Sequence, residues 1–207
     1  MFRLLSIGID TISASVVLFP IIFILQRTLF KGRSFKQKVM TMLFAIYLSV
    51  VFSAVGIPNV STLTFDLSLN IIPVIDIVSS PADYMENTVL NIILFIPIGF
   101  MLPIIWERFR FVKNTVLLGL GMSISVELLQ IFTYRLTDID DLVTNTIGTL
   151  IGYRMAEFIN KKMADGFYLK EEMKNKKELL SIFVTVFLVM FLIEPFISGV
   201  LWAVILK

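Results

Sequence analysis

Six apolar runs of at least roughly membrane-spanning length, about 17–25 residues, restrict what this chain can fold into more than any other feature. They fall at Ile9–Leu25, Val39–Ile57, Thr88–Ile105, Val116–Phe132, Leu142–Ile159 and Leu179–Leu206. Inside a bilayer every backbone amide must find its partner within the protein, so runs of this kind cross as helices. A soluble fold fails on composition, because 57% of the residues are hydrophobic and 16% charged, with a mean hydropathy of +0.89. A soluble domain has about 45–50% apolar and about 25% charged residues. The expectation is an all-α polytopic membrane bundle of about six helices, forming a single membrane domain over residues 1–207. Pro20 interrupts the first run and Gly148 and Gly152 the fifth, which membrane helices tolerate. No small-x-small cleavage site follows the first run and a second begins soon after, so it reads as a span and not as a signal peptide.

Charge is distributed unevenly between the runs. Arg27, Lys31, Arg33, Lys36 and Lys38 follow the first, and Arg108, Arg110 and Lys113 follow the third. Arg154, Lys161, Lys162, Lys170, Lys174, Lys176 and Lys177 cluster around the fifth connection. The alternate loops carry Asp66, Asp76, Asp83 and Glu86, and then Asp138, Asp140 and Asp141 with Arg135. The positive-inside rule makes the cationic loops cytoplasmic, which puts both termini and the acidic loops outside. Within the first acidic loop, Leu63, Phe65, Leu67, Leu69 and Ile71 alternate with Thr62, Thr64, Asp66, Ser68 and Asn70. Period two means an extended, half-buried segment. It is expected at the outer interface, resting on the membrane, covering the bundle mouth or pairing with a partner strand. Asp165–Glu178 reads as a solvated mixed-charge linker.

The absent residue types narrow the chemistry. With no cysteine and no histidine there is no thiolate or imidazole ligand, no disulfide and no serine–histidine triad, and no cofactor site is expected. No basic face interleaved with aromatics in a polar domain points to nucleic acid. Carboxylates, amides and guanidinium groups remain, and inside membrane spans such groups are costly enough to be functional candidates.

Most of them gather at one level. Asn91 lies about one turn into the third span, and Glu127 and Gln130 share a face of the fourth at i and i+3. Asp138, Asp140 and Asp141 open the fifth, with Asn145 four residues after Asp141, and Arg135 lies in the short connection. A polar site near the outer boundary is expected there. Desolvation among helices favours the neutral acid of Glu127, whereas a helix N-terminus favours the carboxylate of Asp141, the division of an acid/base pair. Arg135 suits a phosphate or carboxylate. Calcium or magnesium on the aspartates is an alternative, although the spacing is not that of an EF-hand. Structural roles compete with these: Asp138 as an N-cap, Arg135 as a neutralising charge, Glu127 as its structural partner, Asn91 and Asn145 as interhelical hydrogen-bonding groups. Gly148-x-x-x-Gly152 reads as a close-packing surface. Glu194, alone in the last span before Pro195, reads as structural or as an oligomer contact, with a functional role as the alternative, and Phe187, Phe191 and Phe196 as packing or lipid-facing surface.

Three stretches carry a family likeness: Asn91-Ile-Ile-Leu-Phe-Ile-Pro-Ile-Gly-Phe, Ser125-Val-Glu-Leu-Leu-Gln, and Arg135-Leu-Thr-Asp-Ile-Asp-Asp-Leu-Val-Thr-Asn-Thr-Ile-Gly. Together they resemble the VanZ-like family, with an asparagine before Phe-x-Pro-x-Gly, a Glu-x-x-Gln pair and Arg-x-x-Asp-x-Asp-Asp-x-x-x-Asn-x-x-Gly. Asn70-Ile-Ile-Pro73 resembles the family's outer segment. The likeness covers about residues 39–160. The first span, the linker at about 160–178 and the last span lie largely outside it. The resemblance implies a plasma-membrane protein of the bacterial cell envelope, typically Gram-positive, whose namesake raises resistance to teicoplanin-type glycopeptide antibiotics. It implies candidate positions at Asn91, Glu127, Gln130, Arg135, Asp138, Asp140, Asp141 and Asn145, but no reaction. Three readings stay open: an outward pocket that binds an amphiphile such as a lipid-linked envelope precursor or lipoglycopeptide, an enzyme using Glu127 and Asp141 on such a lipid, and a transporter or scaffold.

Overall fold

The computed structural model describes residues 2–65, 69–70, 80–133, 137–163, 168–169 and 177–205. Arg135, residues 66–68 and 71 of the alternating outer segment, Asp76 and most of the 160–178 linker lie outside the described residues. Six long helices account for most of the rest. They are α1 (Phe2–Thr28), α2 (Phe35–Val55), α3 (Pro81–Ile105), α4 (Val112–Gln130), α5 (Ile139–Lys162) and α6 (Glu178–Ile205), the last with a π-helical turn at Val189–Ile193. The protein is an all-α, multi-pass membrane bundle. Five of the helices, all but α5, are long and apolar enough to cross a bilayer. Helix α5 is less apolar because acids occupy its first turn and lysines its last, while its inward face carries Thr144, Asn145, Thr149 and glycines in place of aliphatic side chains.

Local signals explain where these helices begin and end. Ser34 caps α2 by accepting from the Gln37 amide, while the Gln37 side chain accepts from the Ser34 amide, a reciprocal capping box. Gly56 ends the helix at φ 68°, a left-handed conformation that suits glycine. Asp138 caps α5 by accepting from the Asp140 amide at 2.9 Å, with Asp140 and Asp141 in the first turn.

The chain forms two compact units. Residues 1–64 and 172–207 make the first and residues 65–171 the second. In the first unit α1, α2 and α6 pack together, with Ala14, Leu18, Ile22, Phe44, Ala45, Leu48, Ile182 and Val186 wholly buried. At one end the Arg33 guanidinium and the Glu178 carboxylate form a buried ion pair. Phe187 stacks on Phe191, whereas Phe196 is exposed, as a lipid-facing residue is.

The second unit is built on the contact between α3 and α5, the most extensive in the chain, with α4 packed against α5. Glycine sets that closeness. A Cβ at Gly148 would collide with the Ile92 carbonyl, one at Gly152 with the Ile96 carbonyl, and one at Gly99 with the Thr149 carbonyl. The close-packing surface expected at Gly148 and Gly152 is therefore where α3 crosses α5. Two-residue strands, β1 (Leu69–Asn70) and β2 (Thr137–Asp138), pair in parallel, with Leu69 opposite Thr137 and Asn70 opposite Asp138. Strand pairing of the alternating segment is thus confined, among the described residues, to Leu69 and Asn70. Ser61 and Thr62 form a turn, with Asn59 Oδ1 accepting from both amides.

Candidate functional site

The end of α4, the start of α5 and the first half of α3 meet in the second unit, and each contributes polar groups. From α4, Glu127 is 5% exposed, and its Oε2 accepts from the Asp138 amide at 2.9 Å. That amide sits at the mouth of α5, where first-turn N–H groups lack helical partners. A carboxylate of α4 is thereby bound to the N-terminus of α5. From α3, Asn91 Nδ2 donates to Asp141 Oδ1 at 2.6 Å. One turn into α5, Asn145 is 2% exposed and its Nδ2 donates to the Ser123 hydroxyl at 2.9 Å. The Ser123 hydroxyl donates onward, at 3.4 Å, to the Asp141 carbonyl.

The arrangement is a layered network. Asn91 orients Asp141, Ser123 and Asn145 lie beneath, and Glu127 faces the capping segment. Asp138 and Asp141 are near enough to Glu127 for their charges to be felt by it. Buried Asn145 Oδ1 has no hydrogen-bond partner, leaving an acceptor available at the bottom of the network. Gln130 is buried one helical step beyond Glu127. Asp140 is half-buried, its amide committed to the cap.

Asn91, Glu127, Asp138, Asp140, Asp141 and Asn145 therefore come to one place, with Gln130 on the adjoining turn, while Arg135 lies outside the described residues. The contacts differ in detail from what spacing suggests. Matching depth in adjacent helices would let Glu127 touch Asn145, but Glu127 meets the Asp138 amide at the α5 mouth. Asn145 reaches Ser123 instead. Ser123 was not singled out by the sequence pattern, although it lies four residues before Glu127 and therefore on the same helical face. Among the described residues no three acids gather as ligands for a metal ion. The chemistry at hand is that of carboxylates and amides, suited to holding hydroxyl, amide or cationic groups and to moving a proton.

The sequence pattern described as VanZ/LLP1 matches residues 38–160, which contain every residue of this network. A relative, Protein VanZ of Enterococcus faecium, is 35% identical over 74 residues, which is 35% of this chain and 45% of that protein. The alignment thus spans under half of the relative's length. No solved structure matches.

Proposed function

The chain belongs to the VanZ-like family, and from that premise we propose that it is a bacterial envelope protein that binds an amphiphile at the Glu127–Asp141 site. The observation that carries the reading is the concentration of buried, hydrogen-bonded polar groups from three helices at one helix-end level, inside the family-matching region. Groups of this kind are expensive in a membrane and persist where they serve a ligand. Apolar flanks of the helices suit a lipid tail, and the network suits a headgroup rich in amide and hydroxyl groups. A lipid-linked envelope precursor and a lipid-tailed glycopeptide both have that chemistry. The resemblance to the VanZ-like family supports a part in glycopeptide resistance of the teicoplanin type, and the charge asymmetry of the loops supports a plasma-membrane orientation with both termini outside.

An enzyme version uses the same atoms. Glu127 would donate and Asp141, held by Asn91, would accept a proton on a lipid-linked precursor. Purified protein incubated with envelope lipid extract and read by mass spectrometry separates the two. Retained, unmodified lipid means binding, a Glu127-dependent product means catalysis, and neither result overturns both. Glu127→Gln keeps the shape of the side chain but removes its ionisable group. The expected outcome is loss of activity at unchanged membrane abundance, and full activity reduces Glu127 to a structural acceptor. Deleting the gene should sensitise cells more to a lipid-tailed glycopeptide than to one without a tail. Orientation is tested with single cysteines at Ser34, Ser68 and Asn175 in this cysteine-free chain. An impermeant reagent applied to intact cells should label position 68 alone, and labelling at position 34 reverses the topology.

A further inference from the structure

We propose that Asp10 and Glu194 form an intramembrane binding site for a single proton, which they share between their carboxyl groups and which joins α1 to α6. Asp10 is the one ionisable residue between Arg3 and Arg27, and Glu194 the one between Glu178 and Lys207. Two isolated acids from helices at opposite ends of the sequence nevertheless lie within hydrogen-bonding reach of each other, with Ser198 also within reach of Glu194. The third helix of the unit supplies the Ser53 hydroxyl, which donates to Asp10 Oδ2 at 2.6 Å. Among the described residues of this unit no other ionisable group faces the pair. Helix α2 has only Tyr47 between Lys38 and its end, nearly two turns from Ser53, and residues 56–65 have none.

What points to a proton is an oxygen with nothing to accept from. Glu194 is 5% exposed, and its Oε1 is buried without a hydrogen-bond donor. Ionised carboxylates are acceptors only, so two of them facing each other in an apolar interior repel and leave lone pairs unsatisfied. One proton between them converts repulsion into a charge-assisted hydrogen bond and leaves one negative charge spread over the pair, with the Ser53 hydroxyl donating to it. The π-helical turn at Val189–Ile193 lies immediately before Glu194, and the Val60 amide donates to the Phe191 carbonyl within it at 3.0 Å. An inserted residue of this kind rotates the helix beyond it, and here that sets the direction of Glu194. The inference is independent of the Glu127 site, since all of its groups belong to the first unit.

Infrared spectroscopy of the purified full-length chain in lipid nanodiscs tests it. At neutral pH the wild-type minus Glu194→Gln difference should contain the carbonyl band of one protonated carboxyl, and Asp10→Asn should shift that band because the partner oxygen becomes an amide. Thermal stability of the wild type should fall as pH rises, because removing the proton leaves two carboxylates face to face, whereas Glu194→Gln should lose this dependence. Absence of an acid carbonyl in the difference spectrum overturns the proposal. So does an unshifted band in Asp10→Asn, which would mean a solitary protonated Glu194. Appearance of the band only after sodium and calcium are removed would assign the site to a metal cation instead. If Glu194→Gln does not fold, the Asp10→Asn shift and the wild-type pH profile still decide.

Discussion

The two units of this chain solve the same problem, polar side chains in apolar surroundings, in opposite ways. In the second unit the polar groups cluster at helix ends, and backbone amides that a helix leaves unpaired take part, as the Asp138 amide does with Glu127. Such a network keeps spare capacity, visible in Asn145 Oδ1, and can exchange an internal contact for a ligand. In the first unit buried charged groups meet in pairs between helices: Arg33 with Glu178 as an ion pair, and Asp10 with Glu194 as two facing acids. A pair formed between two helices ties those helices together, whereas a network at a helix mouth that draws on backbone amides can also bind. The packing differs too. A Cβ added at Gly99, Gly119, Gly148 or Gly152 of the second unit would collide with a neighbouring helix, while one at Gly8 or Gly199 of the first, or at Gly121 of the second, would meet nothing within 4 Å.

The contrast breaks most severely at the buried ion pair. Glu178→Ala leaves a guanidinium buried without its counter-charge and should destabilise the protein by about 3–5 kcal/mol, lowering the yield of monodisperse protein after detergent extraction. Pairing it with Arg33→Met should recover much of the loss, and failure to recover would show that the charges matter for more than each other. Next comes the helix contact. Gly152→Ala should cost about 1–3 kcal/mol, since overpacking displaces backbone, whereas Gly199→Ala should fall within about 0.5 kcal/mol of the wild type. Equal effects in thermal unfolding would erase the packing distinction. In the network, Ser123→Ala and Asn91→Ala should each cost about 0.6 kcal/mol, an ordinary interhelical hydrogen bond, while lowering ligand retention more than that figure accounts for. The smallest effect is expected of Asp138→Asn, because asparagine also caps helices. A large loss of binding there at unchanged stability would move Asp138 from cap to ligand contact.

Legibility in the sequence followed the range of the interaction. The spans, the cap at Asp138, the close-packing glycines and the gathering of Asn91, Glu127, Asp141 and Asn145 all rest on periodicity or on a short connection between consecutive helices. The family pattern added weight to those same positions. Glu194 reads as solitary from its own span because its partner, Asp10, lies near the other end of the sequence. Asp10 falls in an apolar run where nothing local distinguishes it. Ser123 was legible in principle, one turn before Glu127, but a lone serine in a membrane helix usually donates to its own helix.

By itself the sequence determined that this chain lives in a membrane, that it crosses as helices, and which level of the bundle holds most of its polar chemistry. Those follow from hydropathy, from the need to satisfy backbone amides in lipid, and from the helical repeat. Only the tertiary structure decided which donor meets which acceptor: the Asp138 amide with Glu127, Asn91 with Asp141, Asn145 with Ser123, and Ser53 with Asp10. A hydrogen bond discriminates over a few tenths of an ångström, while spacing along a helix places a side chain only to within a turn. The rotation and closeness of packed helices supply the remainder.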